Sequence, residues 1–235
     1  TKLSEQLSNA NHIKYVLEKL YYVSQEGRQG PVLLDVPMNF QRLEVPKKLK
    51  SFKPKLKKQN NVNYLTKLNK IINLINKSNR PILIAGGGIR YSKSVSQFNQ
   101  FIKLLKIPVV TTWSGVDTID YHNKYYIGHI GVYGSRSANF TIQNSDFVLS
   151  LGSRLDTRVT GGKPDTFARK AKIIMIDIDK GELSKRRGLK PYIEFNTDVN
   201  SFLKKICKKI SYEKIVNSKT HRDWLKKSIY WKKKY

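Results

Sequence analysis

One cysteine, Cys207, serves all 235 residues, so no disulfide closes within the chain, and no Cys/His spacing offers a zinc site. Cys207 lies in the helical stretch SFLKKICKKI and reads as a small core residue. With no disulfide framework, the setting to expect is cytoplasmic. No run of about 18 apolar residues occurs, which excludes a helix crossing a bilayer. The opening TKLSEQLSNANHIKYV lacks the basic start and apolar stretch of a signal peptide. It begins on Thr1 rather than on methionine, and the far end, YWKKKY, is abrupt and basic. A piece of something longer is therefore expected.

Acidic residues are scarce. Asp and Glu number 17 against 45 Lys and Arg, a formal net charge of +28, and such an excess invites nucleic acid as a partner. Three further absences argue the other way: no zinc finger, no helix-turn-helix pattern, and no interleaving of aromatic and basic residues for base stacking. The 34 lysines far outnumber the 11 arginines and are scattered among Asn, Ile and Tyr, a mixture that an AT-rich genome imposes on any protein. Nucleic acid is not the expected partner. A basic nucleic-acid binder stays as a third reading.

Periodicity supplies the elements. HIKYVLEKLYYVSQE (12–26) reads as an amphipathic helix, followed by a turn and a short buried strand, Val32 to Val36. EVPKKLKSFKPKLKKQNNVN has little apolar period and reads as a linker. Then come a helix with Leu65, Leu68, Ile71, Ile72 and Ile75 on one face, the strand RPILIAGGGI, the helix SVSQFNQFIKLLKI and the strand PVVTTW. Ser114 to Val132 is irregular. The helix SRSANFTIQ, the strands SDFVLSLGS and KAKIIMIDID, and the helix TDVNSFLKKICKKI complete the unit, and HRDWLKKSIYWKKKY reads as a helix whose partner is missing. Strands alternating with helices, each strand a continuous apolar run, predict an α/β fold with a parallel sheet covered by helices on both faces.

In such a sheet, ligands bind beyond the carboxyl ends of the strands, and four predicted strand ends carry unusual residues. Gly86, Gly87 and Gly88 either let a phosphate approach backbone N–H groups or make a tight strand-to-helix turn. Gly128, Gly131 and Gly134 in GHIGVYGSRSAN either hold an anion before a helix or form an ordinary loop. GSRLDTRVTGG, from Gly152, offers the guanidinium groups of Arg154 and Arg158 to a phosphate with Asp156 to orient one of them, or it is a solvated charged loop. Asp177 and Asp179 either take a ribose hydroxyl or cap the next helix. Four such ends on one edge point to a phosphate-bearing, dinucleotide-type ligand. Arg186 and Arg187 in KRRGLKPY read as surface loop.

The order GPVLLDVP, RPILIAGGGI, PVVTT, SDFVLSLGSRLDTRVTGG, KAKIIMIDID and TDV resembles the thiamine-diphosphate-dependent decarboxylases and carboligases, nearest to their acetolactate synthase branch. The resemblance covers about Gly27 to Ile210. It implies the tail of a pyrimidine-binding α/β domain (1–44), a linker (45–62), a Rossmann-like central domain (63–210), and a helical connection (211–235) to a diphosphate-binding domain. It places the catalytic residues outside this chain: the activating glutamate upstream, and the Gly-Asp-Gly motif for Mg2+ and diphosphate downstream. The fragment alone is then inactive.

In the intact enzyme, the resemblance implies, thiamine diphosphate decarboxylates a 2-keto acid and the resulting carbanion attacks a second carbonyl compound. A homodimer or homotetramer is implied, with a regulatory subunit as a further partner. Acetolactate synthases also bind FAD in the central domain, where it takes no electrons in turnover. Carried over, its contacts would be Gly86, Gly87, Gly88, Thr112, Gly131, Tyr133, Gly134, Gly152, Arg154, Asp156, Arg158, Asp177, Ile178 and Asp198. Tyr133 stands where the synthases have the histidine of a Gly-Met-His-Gly stretch, and Trp113 and Ser114 also depart from their pattern. A synthase-like carboligase with a different acceptor, and a non-catalytic nucleotide-binding module of the same fold, are the alternatives.

Overall fold

A computed structural model of the chain describes residues 1–54, 61–213 and 218–235. The chain divides into two units, Thr1–Asn60 and Asn61–Tyr235. Part of the expected linker, 55–60, and residues 214–217 of the expected connection lie outside the described residues.

The first unit pairs β1 (Ser4–Gln6) with β2 (Leu33–Asp35) in parallel, joined through α1 (Ile13–Gln25). A short helix, α2 (Met38–Gln41), follows. α1 buries Val16 and Leu20. β1 was not legible, since LSEQL has no β-branched residue. The strand expected over 32–36 forms, but not as a buried one: Leu33 is 53% exposed. Two strands and one helix cover only one side of such a ribbon.

The second unit runs α3 (Asn61–Lys77), β3 (Pro81–Ala85), α4 (Gly88–Tyr91), α5 (Val95–Leu105), β4 (Val109–Thr111), β5 (Tyr126–His129), α6 (Arg136–Gln143), β6 (Phe147–Leu151), α7 (Thr157–Thr160), β7 (Lys172–Asp177), α8 (Lys180–Lys185), β8 (Ile193–Asn196), α9 (Val199–Glu213) and α10 (Lys219–Lys234). All six strands are parallel, in the order β5-β4-β3-β6-β7-β8. The chain steps outward from β3 to β5, then returns to β6 on β3's other flank. That reversal is the topological switch point of doubly wound sheets.

Side-chain alternation divides the strands between two cores. Leu83, Ala85, Leu149 and Ile174 face α3, α5 and α9, while Ile82, Ile84, Val148 and Met175 face α6 and α8. Helix spacing matches: α5 buries Phe98, Phe101, Ile102 and Leu105, and α9 buries Phe202, Leu203, Ile206, Cys207 and Ile210. Each such side chain contributes roughly 1.5–3 kcal/mol. Burial pushes the Cys207 thiol up to about 11. No helix among the described residues is long and apolar enough to cross a membrane.

The fold class is as expected, with four local corrections. The buried face of α3 starts at Tyr64 and continues through Leu68, Ile71, Ile72 and Ile75, while Leu65 is 55% exposed. One residue is 100° of helix, and the Tyr64 register keeps the i, i+4, i+7, i+8 stripe intact. The irregular stretch 114–132 holds β5, and β8 sits unforeseen in PYIEFN, both only four residues long. The helix thought to lack a partner has one. α10 buries His221, Trp224 and Ser228, and Trp224 donates from Nε1 to the Pro81 carbonyl at 3.0 Å.

Candidate functional site

At the switch point the tips of β3 and β6 touch backbone to backbone. Gly86 N–H donates to the Leu151 carbonyl and Gly88 N–H to that of Gly152, both at 2.9 Å. A methyl on Gly86 would stand 2.2 Å from the Gly152 oxygen, and one on Gly152 would stand 2.6 Å from Gly88 Cα. Gly152 also has φ +60. These glycines are demanded by that contact. Gly86–Gly88 make a tight strand-to-helix turn that leads straight into α4.

The segment after Gly152 is anchored from below. Leu155 is fully buried although its φ is +47, an arrangement that costs about 1–2 kcal/mol. Its burial in the lower core holds it there. The flanking polar residues therefore face outward. Asp156 caps α7: Oδ1 accepts from Arg158 N–H at 3.2 Å and Oδ2 from Arg154 Nη2 at 3.1 Å. The aspartate thus orients an arginine, as the sequence predicted. The Arg158 side chain is exposed. Asp156→Ala should lose the cap, destabilising the unit by about 1 kcal/mol, measured as a shift of the urea midpoint.

The loop between β5 and α6 docks on this turn. Val132 N–H donates to the Arg158 carbonyl at 2.9 Å, and a methyl on Gly131 would lie 2.3 Å from the same oxygen. Asn139 of α6 clamps Gly131 from both sides, accepting from its N–H at 3.1 Å and donating to its carbonyl at 2.9 Å. Tyr133, 73% exposed, meets the exposed Trp113 edge to face at 5.9 Å. Thr112 donates N–H to the Ala85 carbonyl, and its hydroxyl lies 3.3 Å from that of Ser114. Gly134 closes the loop through an N–H bond to the Gly131 carbonyl at 2.9 Å.

The outer two tips are more heavily used by the fold. Asp177 Oδ1 accepts from Asp179 N–H at 2.9 Å, Asp179 caps α8 through Glu182 N–H, and Asp198 caps α9 through Ser201 N–H. Capping, one of the two readings, is realised for Asp179. Ile178 is 38% exposed, and its carbonyl accepts from Asn196 Nδ2 at 2.8 Å. The candidates from β3, β4, β5 and β6 form one connected group, while Asp177, Ile178 and Asp198 sit at the β7 and β8 tips of the same edge.

Beneath this edge lies an ion pair the sequence did not reveal. Glu182, 6% exposed, accepts from Lys185 at 2.7 Å and from Arg187. Arg187 Nη1 also reaches the Arg154 carbonyl at 3.3 Å. Burial opposes ionisation of the Glu182 carboxyl, but the two cations outweigh it and hold its pKa at about 2. Arg187 is therefore no mere surface residue, since its side chain is 22% exposed. Arg186, 63% exposed and paired with Glu194, fits that reading better. Spacing alone cannot separate two adjacent arginines.

Chemically, the edge offers guanidinium groups, exposed aromatic rings and backbone crowded enough to be rigid. That donor set fits a phosphorylated ligand with a flat ring. Among the described residues, no three His, Cys, Asp or Glu side chains are grouped to hold a metal ion.

Comparison with known proteins adds the following. The profile of a family described as "thiamine pyrophosphate enzyme, central domain" matches residues 68–206. The probable acetolactate synthase large subunit of Methanococcus aeolicus is 31% identical over 227 residues, 93% of this chain and 37% of that protein. The acetolactate synthase large subunit of Lactococcus lactis is 32% identical over 225 residues, 88% of this chain and 39% of its own. A probable chloroplastic acetolactate synthase 2 of rice is 33% identical over 205 residues, 85% of this chain and 30% of its own. The chain spans between 30% and 39% of the length of these relatives.

Proposed function

This chain belongs to the thiamine pyrophosphate enzymes as their central domain, and we propose that it is the middle of an acetolactate-synthase-type carboligase. The observation that carries this reading is similarity to acetolactate synthase large subunits over 88–93% of the chain. The substrate would be a 2-keto acid, with pyruvate the first to try. On this reading 1–44 ends a pyrimidine-binding domain, 45–62 links, 63–210 is the central domain, and 211–235 leads to a diphosphate-binding domain. Thiamine diphosphate supplies the chemistry of decarboxylation and carbon–carbon bond formation. This portion contributes scaffold, and by itself catalyses nothing.

The role we assign to the chain's own residues is to hold FAD along the carboxyl edge. Arg154 and Arg158 would bind the phosphates, with Asp156 fixing the first of them. Thr112, Tyr133 and the 131–134 loop would flank the ring system, and Asp177, Ile178 and Asp198 would meet the ribose side. Support comes from the donor chemistry and from the bond of Val132 N–H to the Arg158 carbonyl, which ties the 131–134 loop to the Arg158 turn. Arg158→Ala should weaken FAD binding about tenfold, the worth of one charged hydrogen bond, read as quenching of flavin fluorescence by the 235-residue chain. Unchanged binding would remove Arg158 from the site.

Mg2+, a homodimer or homotetramer, and a regulatory subunit belong to the same proposal. The compartment expected from the sequence is the cytoplasm, and relatives named chloroplastic show that the family is not confined to one compartment. The test is an assay of the intact gene product with pyruvate, Mg2+ and thiamine diphosphate. Release of CO2 with acetolactate is expected. CO2 without acetolactate would favour a carboligase with another acceptor, and neither would favour a non-catalytic nucleotide-binding module.

A further inference from the structure

At the opposite end of the sheet, α10 lies against α6 and β5 and reaches the amino end of β3. Trp224 bonds to the Pro81 carbonyl, and His221 Nε2 donates to the Ser78 carbonyl at 2.8 Å. Between this helix and the turn after α6 is a cavity of 520 Å3. Arg80, Arg169, Lys170 and Lys227 line it together with Trp224 and Trp231, and no carboxylate does. Arg169 and Lys170 have no hydrogen-bond or ion-pair partner among the described residues. Arg80 spends one donor, Nε, on the Asn144 carbonyl at 2.6 Å. Two acids adjoin the lining in sequence: Asp146 turns its two oxygens to the backbone N–H groups of Asn79 and Arg80, both at 2.8 Å, and Asp223, beside Trp224 on α10, is exposed and outside the lining.

Four exposed cations around one concavity, with no carboxylate in the lining, raise its positive potential and repel each other. An anion relieves that repulsion. The two tryptophans stand edge to face, centroids 5.8 Å apart at 86°, with Trp224 buried behind and Trp231 presenting the apolar surface beside the charges. Lys227 lies 5.5 Å over the Trp231 ring, linking the aromatic and cationic parts. The volume lies within the range of about 300–1,000 Å3 usual for small-molecule sites. We propose that this cavity binds a phosphorylated aromatic ligand of the nucleotide class, with phosphates on Arg169, Lys170 and Arg80 and the ring against the half-buried Trp231, which the buried Trp224 backs. It lies at the other end of the strands from Arg154 and Arg158, and so stands independently of the FAD assignment.

The chain has three tryptophans. Trp113→Phe therefore leaves only Trp224 and Trp231, so that intrinsic fluorescence reports the cavity alone. Titration of this variant with ADP should give saturable quenching at or below about 1 mM. Adding Arg169→Glu and Lys170→Glu should weaken it at least tenfold. Those side chains make no contacts that the fold requires, and an unchanged circular dichroism spectrum checks this. Inorganic pyrophosphate should bind more weakly than ADP, displacing it only at higher concentration. The proposal is overturned by the absence of saturable quenching. Quenching indifferent to the two charge reversals, or abolished instead by Arg154→Ala with Arg158→Ala, also overturns it. So does pyrophosphate binding as tightly as ADP, since the ring then adds nothing.

Discussion

Gly152→Ala should destabilise the second unit by about 3 kcal/mol, the sum of a left-handed alanine and a backbone overlap. Its melting temperature should then fall by roughly 10 °C, at a few degrees per kcal/mol. The added methyl would lie 2.6 Å from Gly88 Cα and 2.9 Å from Gly88 C. Neither atom can step aside without pulling β3 from β6. Gly188 provides the control: its φ is +83, yet a methyl there meets nothing closer than Pro164 Cβ at 3.5 Å, an ordinary contact. Gly188→Ala should show only the conformational part, about 1–2 kcal/mol. Equal melting temperatures for the two variants would sink the steric account.

That contact also marks how far the sequence could be read. Three glycines after PILIA and one after FVLSL announced close backbone approach, but not what approaches what. Phosphate and strand tip make the same demand, and only the strand order, with β6 returning beside β3, decides that Gly152 is the neighbour. Continuous apolar runs disclosed β3, β6 and β7, because a strand buried on both faces has no polar positions to spare. β5 and β8 have burial patterns that open toward solvent, and four residues give periodicity little to work with. RLDTR was legible as chemistry because Asp156 sits two residues from each arginine. Asn139 was not, since an asparagine inside a helix does not announce that it clamps a glycine eight residues earlier.

Arg187→Ala should destabilise the same unit by about 2–3 kcal/mol, somewhat less than the usual loss on breaking a buried ion pair because Lys185 remains. It would strip Glu182 of its better-buried cation and free the Arg154 carbonyl. The pH dependence follows from the direction of the shift. The folded carboxyl titrates near 2 and the unfolded one near 4.5. The pair therefore stabilises the fold above pH 4.5, and its contribution drains away as pH falls from there toward 2. Urea midpoints of wild type should decline across that window, and those of Arg187→Ala should decline less steeply. Parallel declines would mean that another carboxylate governs acid unfolding. Glu182→Gln, which leaves Arg187 facing a neutral amide, should flatten the acid limb further.

The strand order has a consequence for how the chain reaches this structure. β3 first meets β4, Leu83 opposite Val109, but its other flank waits for β6, Pro81 opposite Phe147, 66 positions along the chain. The centre of the sheet is thus completed late, by one of its most distant pairings. A parallel sheet has no hairpin to bring such strands together, and loop closure must be met before the contact rewards it. Folding is therefore expected to be slow for the unit's size, with the β3–β5 half exposing its flank until β6 arrives.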